Sequence, residues 1–196
     1  VEAACPALSG YGTSTCNGRN ACEYTGGKGS AMIYIHAGPF PMGCNDAQDG
    51  DCSCPGSNEC SQHVVDVPGY FIDRTEVTVA AYASCVEDGA CTAPSMYESY
   101  CNWAVPGRES HPVNCISWYQ AQTYCEWSGK RLCSESEWEK SARGTDGRLY
   151  PWGDQTATCD NAIMHNGTKY GCGTELTWAV GSKPTGASPY GLLDMS

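Results

Sequence analysis

The sequence predicts one cystine-rich α+β domain with little regular secondary structure. Size, cysteine usage and the distribution of turn residues carry that reading. A chain of 196 residues is the length of a single domain and can bury a core unaided. Fifteen cysteines far exceed what a reducing compartment tolerates, so the protein is expected to be secreted, extracellular or at the cell surface. Glycine and proline recur every few residues, and only three segments carry helix-end signals. Such a pattern belongs to an irregular α+β domain rather than to a bundle or a barrel.

Residues 1–30 are rich in Gly, Ser, Thr and Asn, with Cys5, Cys16 and Cys22 and neither a period-2 nor a 3.6 apolar pattern. They read as an irregular leader packed on a main domain over 31–196. The first strand candidate is Met32 to Ile35, and Gly38-Pro39 and Pro41-Met42-Gly43 then lead into a second extended piece. Val64, Val65, Val67, Tyr70, Phe71 and Ile72 form short extended segments broken at Pro68-Gly69. Thr78 can cap a helix that runs through Ala81, Tyr82 and Cys85 and stops at Gly89. Ser117 with Gln120, and Ser134 with Glu137, are capping-box pairs in which each side chain can satisfy a free backbone N–H at a helix start. The first places Trp118, Ala121 and Cys125 on one face, and the second turns Trp138 and Ala142 inward before Gly144.

Eleven Lys and Arg against 22 Asp and Glu give a formal charge of -11, which repels phosphate backbones and anionic headgroups. Nucleic acid is excluded as a partner, and so is membrane insertion, since no apolar run approaches the roughly 20 residues a membrane helix needs. The chain begins Val-Glu-Ala-Ala-Cys without an initiator Met, and reads as a mature chain whose signal has been removed. The odd cysteine count leaves at least one thiol free, bound to another molecule, or paired outside the stretch. Cys85 and Cys91 flank the end of the first helix and are expected to pair.

The pieces Gly38-Pro39-Phe40-Pro41-Met42-Gly43, Phe71-Ile72-Asp73-Arg74-Thr75-Glu76-Val77-Thr78 and His111-Pro112-Val113-Asn114-Cys115-Ile116-Ser117-Trp118 carry a family resemblance. Tyr124-Cys125-Glu126-Trp127-Ser128-Gly129-Lys130-Arg131-Leu132, the run from Ser134 to Gly144, Tyr150-Pro151-Trp152-Gly153 and the run from Ser188 to Met195 continue it. Seven pieces in register resemble the formylglycine-generating-enzyme (sulfatase-modifying factor) family. The resemblance implies a modified C-type-lectin-like fold, often with calcium. It also implies a Gly-Asn-x-Trp-Glu-Trp stretch after Asp194-Met195, and then a segment carrying two copper-binding cysteines in the true enzymes. Residues 1–196 are therefore read as part of a longer protein, and the odd cysteine count fits a partner elsewhere. Cys133 departs from the Pro that usually follows Arg-Leu.

For calcium, the resemblance points to the side chain of Asn161 and the carbonyl of Ala162. The family's later acidic ligand falls near Cys172, so a Cys159–Cys172 disulfide is a candidate replacement, with Asp160 or Glu175 as alternative ligands. Copper-activated oxygen would convert a substrate cysteine into formylglycine, and soft thiolates suit Cu(I), but no catalytic residue is nominated here. Cys52, Cys54, Cys60 and His63 could hold zinc, and Asp46, Asp49 and Asp51 could hold calcium. Their spacing departs from the usual knuckle and EF-hand patterns, and cystines with a solvated acidic loop explain them more simply. Glu135 and Glu139, one helical turn apart, are either an acid–base or metal pair or a solvated face aligned with the helix dipole. Trp118, Trp127, Trp138 and Trp152 are either a stacking surface or, as periodicity favours, core. Asn166-Gly167-Thr168 is a glycosylation sequon.

Two functions follow. The leading expectation is a secreted, disulfide-stabilised binding or structural module whose partner is another protein or a second copy. The alternative is a copper-dependent oxidase that makes formylglycine on sulfatases.

Overall fold

The computed structural model describes residue 5 and residues 14–16, 21–25, 31–44 and 61–196. Cys52, Cys54, Cys60, Asp46, Asp49 and Asp51 lie outside the described residues, so the zinc and acidic-loop readings have only His63 on the page. That ring is exposed, with Nδ1 3.1 Å from the Ser61 carbonyl.

Strands β1 (Ser14–Cys16), β2 (Cys22–Tyr24), β3 (Met32–Ile35) and β6 (Tyr70–Asp73) form one antiparallel sheet in that order. Strands β4 (Gly38–Met42) and β5 (His63–Val67) pair separately, with Phe40 opposite Val65. In β3 the period of 2 sends Ile33 and Ile35 to one face, where they join Phe40, Val67, Tyr70, Leu192 and Met195. Burying one such aliphatic side chain contributes roughly 1.5–3 kcal/mol. The opposite face gathers Cys22, Tyr24 and Met32 with Tyr34 and Phe71, and the Cys5–Cys22 bridge closes over it. Gly69 passes so close under the Tyr34 ring that a Cβ there would strike the phenol oxygen.

Residues 14–16 and 22–24 are thus more regular than their sequence suggested. Strands of three residues are too short to print a periodicity, and they exist because β2 has β3 to pair with, Glu23 opposite Ile33.

The helices begin where their caps put them. Helix α1 (Val79–Glu87) is capped by Thr78, whose hydroxyl accepts from Ala81 N at 3.1 Å. Both capping boxes are complete at α2 (Trp118–Trp127) and α3 (Glu135–Arg143). Tyr82 of α1 stacks on Tyr124 of α2 at 5.6 Å, and Cys85–Cys91 lies in the same cluster.

The inward faces differ from the expectation. Trp118 is 62% exposed and Trp138 46%, whereas α3 buries Glu137, Lys140, Ser141 and Ala142. Polar anchors rotate the helix. Lys140 Nζ donates to the His36 and Gly38 carbonyls at 2.9 and 2.7 Å, and Tyr70 donates to the Glu137 carbonyl at 2.6 Å. Trp127 and Trp152 are half-buried, the latter stacked on Tyr150 at 4.9 Å.

Candidate functional site

The stretches between the helices are fixed by buried polar bonds. Asn102 is fully buried and uses every group it has. Its side-chain amide donates to the Pro112 carbonyl at 2.8 Å, and its Oδ1 accepts from Arg108 at 2.9 Å and Thr177 at 3.1 Å. Its backbone N–H donates to Asn114 Oδ1 at 2.8 Å, and His111 Nδ1 meets Thr177 Oγ1 at 2.8 Å. Burial, followed by the Arg108 charge, lowers the His111 pKa, so the ring is neutral at pH 7. Cys101–Cys115 ties the same loops, with Cα atoms 5.7 Å apart. His111-Pro112-Val113-Asn114 therefore serves as scaffold.

Beside this knot lies a cavity of about 190 Å3 whose lining includes Glu76, Pro112, Asn161, Ala162, Thr177 and Asp194. Glu76 is exposed overall, yet partial desolvation against the cavity wall and then the Asp194 charge push its carboxyl up to about 7. Burial likewise raises Asp194, against the pull of a 2.6 Å hydrogen bond that Gly181 N donates to it. Asn161 is held from below by Gly186, where a Cβ would collide with the Asn161 carbonyl.

Cys159 is joined to Cys172 across this loop, with Cα atoms 5.7 Å apart. Asp160 and Glu175 point elsewhere: both are exposed, and Glu175 pairs with Lys169 at 3.6 Å. The acidic oxygens that share the cavity with Asn161 and Ala162 are those of Glu76 and Asp194, which sequence reasoning missed. Both stand inside motif pieces, and nothing in one dimension shows that positions 76, 161 and 194 meet.

Glu76 and Asp194 also line a larger groove of about 510 Å3, together with Cys125, Cys133, Trp138 and Leu193. Its polar wall is a pair of salt bridges. Lys130 Nζ donates to Asp73 at 2.5 Å, and Arg131 grips Glu137 with bonds of 2.7 and 2.5 Å. The Arg131 contact holds the Glu137 carboxyl below its usual range.

Cys125 and Cys133 are the free thiols among the described residues, whereas Cys5, Cys22, Cys44, Cys85, Cys91, Cys101, Cys115, Cys159 and Cys172 are bridged. Partial desolvation, helped by Asp73 at Cys125 and Glu137 at Cys133, pushes both free thiols up, although Cys133 lies at the surface. They are protonated at neutral pH, and a thiol is neither a strong nucleophile nor a copper ligand until it loses that proton. Among the described residues, no three His, Cys, Asp or Glu side chains gather to hold a metal ion. Cys125 and Cys133 lie outside the segment in which the family resemblance places the copper-binding cysteines, and no step is routed through copper here. Glu135 and Glu139 play separate parts: Glu139 accepts from Gly43 N at 2.8 Å and Arg143 at 3.3 Å, while Glu135 is exposed.

Among the described residues, two small antiparallel sheets, three short capped helices and long loops tied by local cystines make up a domain of the formylglycine-generating-enzyme type. The sequence matches the family described as "Sulfatase-modifying factor enzyme 1-like domain" over residues 20–196, and the chain belongs to that family. It is 52% identical over 163 residues to the formylglycine-generating enzyme of Streptomyces coelicolor, covering 63% of this chain and 51% of that protein. It is 32% identical over 182 residues to the hercynine oxygenase of Mycobacterium tuberculosis, covering 76% of this chain and 40% of that protein. The chain thus spans about half or less of the length of these curated relatives. In fold it is similar to PvdO from Pseudomonas aeruginosa, with a TM-score of 0.67 at 22% identity over 96% of this chain and 72% of that one.

Proposed function

We propose that this chain is the scaffold and groove-forming part of an oxygen-using enzyme of the formylglycine-generating kind, acting on a cysteine of a peptide substrate. The carrying observation is the convergence of Asp73, Glu76, Lys130, Arg131, Glu137, Trp138 and Asp194 from four separated motif pieces on one groove. In this reading the groove holds the peptide and the salt bridges keep its wall rigid. Copper-based oxygen activation would be supplied by cysteines other than those described.

Calcium belongs to the same proposal. Asn161, Ala162, Glu76 and Asp194 offer hard oxygens in one cavity, the donor set such a cation takes. When bound it would supply positive charge to two confined carboxylates and tie three distant segments together.

The second reading, a secreted binding or self-assembling module, is favoured by the cystine loading and the -11 charge, which suit an exposed and durable protein. One experiment separates the two readings. The whole protein, loaded with Cu(I), is incubated with oxygen and a cysteine peptide of sulfatase type, and the product is assayed as an aldehyde by hydrazide capture and mass spectrometry. Aldehyde formation is the expected result. Its absence with metal bound would leave the module. For calcium, a melting temperature that falls on chelation and returns with Ca2+ is expected.

A further inference from the structure

Helix α3 bears a second cavity of about 530 Å3 on its outer side, lined by Gly43, Glu135, Trp138, Glu139, Arg143 and Leu149. Its charges are not evenly compensated. Arg143 is saturated, donating to the carbonyls of Gly43, Gly147 and Arg148 and to Glu139, with distances from 2.8 to 3.3 Å. Glu139 is equally occupied, taking the Gly43 N–H as well. The Arg143–Glu139 pair is therefore a closed part of the wall, only 15% and 17% exposed, and has nothing left to offer a ligand.

Glu135 is different. It is exposed in the first turn of α3, and its carboxylate has no partner among the described residues. Trp138 stands one turn along the same side of the helix, half in solvent, and its ring has no aromatic or cationic neighbour among the described residues. Leu149 adds an apolar flank.

An uncompensated carboxylate, a bare indole face and an aliphatic wall around one cavity suit a single kind of guest. We propose that this cavity takes up a lysine or arginine side chain presented by a basic partner protein. The cationic head would lie over the Trp138 ring and pair with Glu135, and its methylenes would pack on Leu149. The overall charge of -11 would draw such a partner in. Trp138 borders both this cavity and the groove, whereas Glu135 and Leu149 line only the cavity, so Glu135→Gln reads the cavity alone.

Three short peptides that differ only in a central arginine, lysine or citrulline test it, by calorimetric titration onto the purified chain at low ionic strength. The arginine and lysine peptides should bind, and the citrulline peptide, equal in shape but uncharged, should bind about tenfold or more weakly. Glu135→Gln should weaken the arginine peptide by about tenfold, and Trp138→Leu by a similar factor. Glu135 holds no other group among the described residues, so Glu135→Gln should melt with the parent and stays decisive even if Trp138→Leu fails to fold. Equal binding of citrulline, unchanged binding by Glu135→Gln, or no binding of any peptide would overturn the proposal.

Discussion

Two polar interiors lie side by side in this fold and are built in opposite ways. Around Asn102 the side-chain oxygen, the side-chain amide and the backbone N–H all have partners, and the His111 ring is kept neutral. Across Pro112 and Thr177, which border both regions, Glu76 and Asp194 crowd two acids into one cavity with a single hydrogen bond from Gly181 between them. A closed network contributes rigidity and has nothing further to bind. An open one costs stability until a proton or a cation arrives, and so marks where a ligand matters.

The contrast can be broken from either side. Asn102→Ala should have the largest effect, about 4 kcal/mol in urea denaturation, because it orphans the Pro112 carbonyl, Arg108 and Thr177 at once. Replacing Cys159 and Cys172 together by Ser should remove about 3 kcal/mol, as expected for a loop of this length, and leave the Asn102 knot intact by hydrogen exchange. Thr177→Val should lose about 1 kcal/mol through its bonds to Asn102 and His111, measured in the same way.

Glu76→Gln should have the smallest effect and the opposite sign. A carboxyl raised to about 7 in the folded protein, from an ordinary 4.5, favours folding fully below pH 4.5, and that contribution is lost as pH rises through 7. In chelator-treated buffer the variant should therefore match the parent near pH 4 and melt higher at pH 8. A gain of about 2 °C is expected, small because Glu76 keeps an edge in water. A variant that melts lower at pH 8 without metal would erase the distinction between the two interiors.

Sequence legibility followed the range of the interaction. Thr78, Ser117 and Ser134 announce their helices because a cap acts over three residues. Met32 to Ile35 is legible because a strand with one core face prints its alternation. The strands at Ser14 and Cys22 depend on a partner further along the chain, and neither signals itself. Ala142 is inside as read, but Trp118 and Trp138 are not, and on α3 Lys140 and Glu137 go in instead because distant backbone carbonyls and Arg131 receive them, which no helical wheel records. Of the candidate site, Asn161 and Ala162 were legible through family resemblance, whereas Glu76, Asp194 and Asn102 needed three dimensions.

The Cys5–Cys22, Cys85–Cys91, Cys101–Cys115 and Cys159–Cys172 bridges join residues separated by 17, 6, 14 and 13 positions, so each knots a neighbourhood onto itself and none of the four spans from the sheet to the helices. Under mechanical tension the segments that these four bridges close would stay tied and shielded from the load while the chain between them came apart. The length released on unfolding would then fall short of the full contour, and a reductant added to the stretched chain would pay it out in discrete steps, one per opened loop.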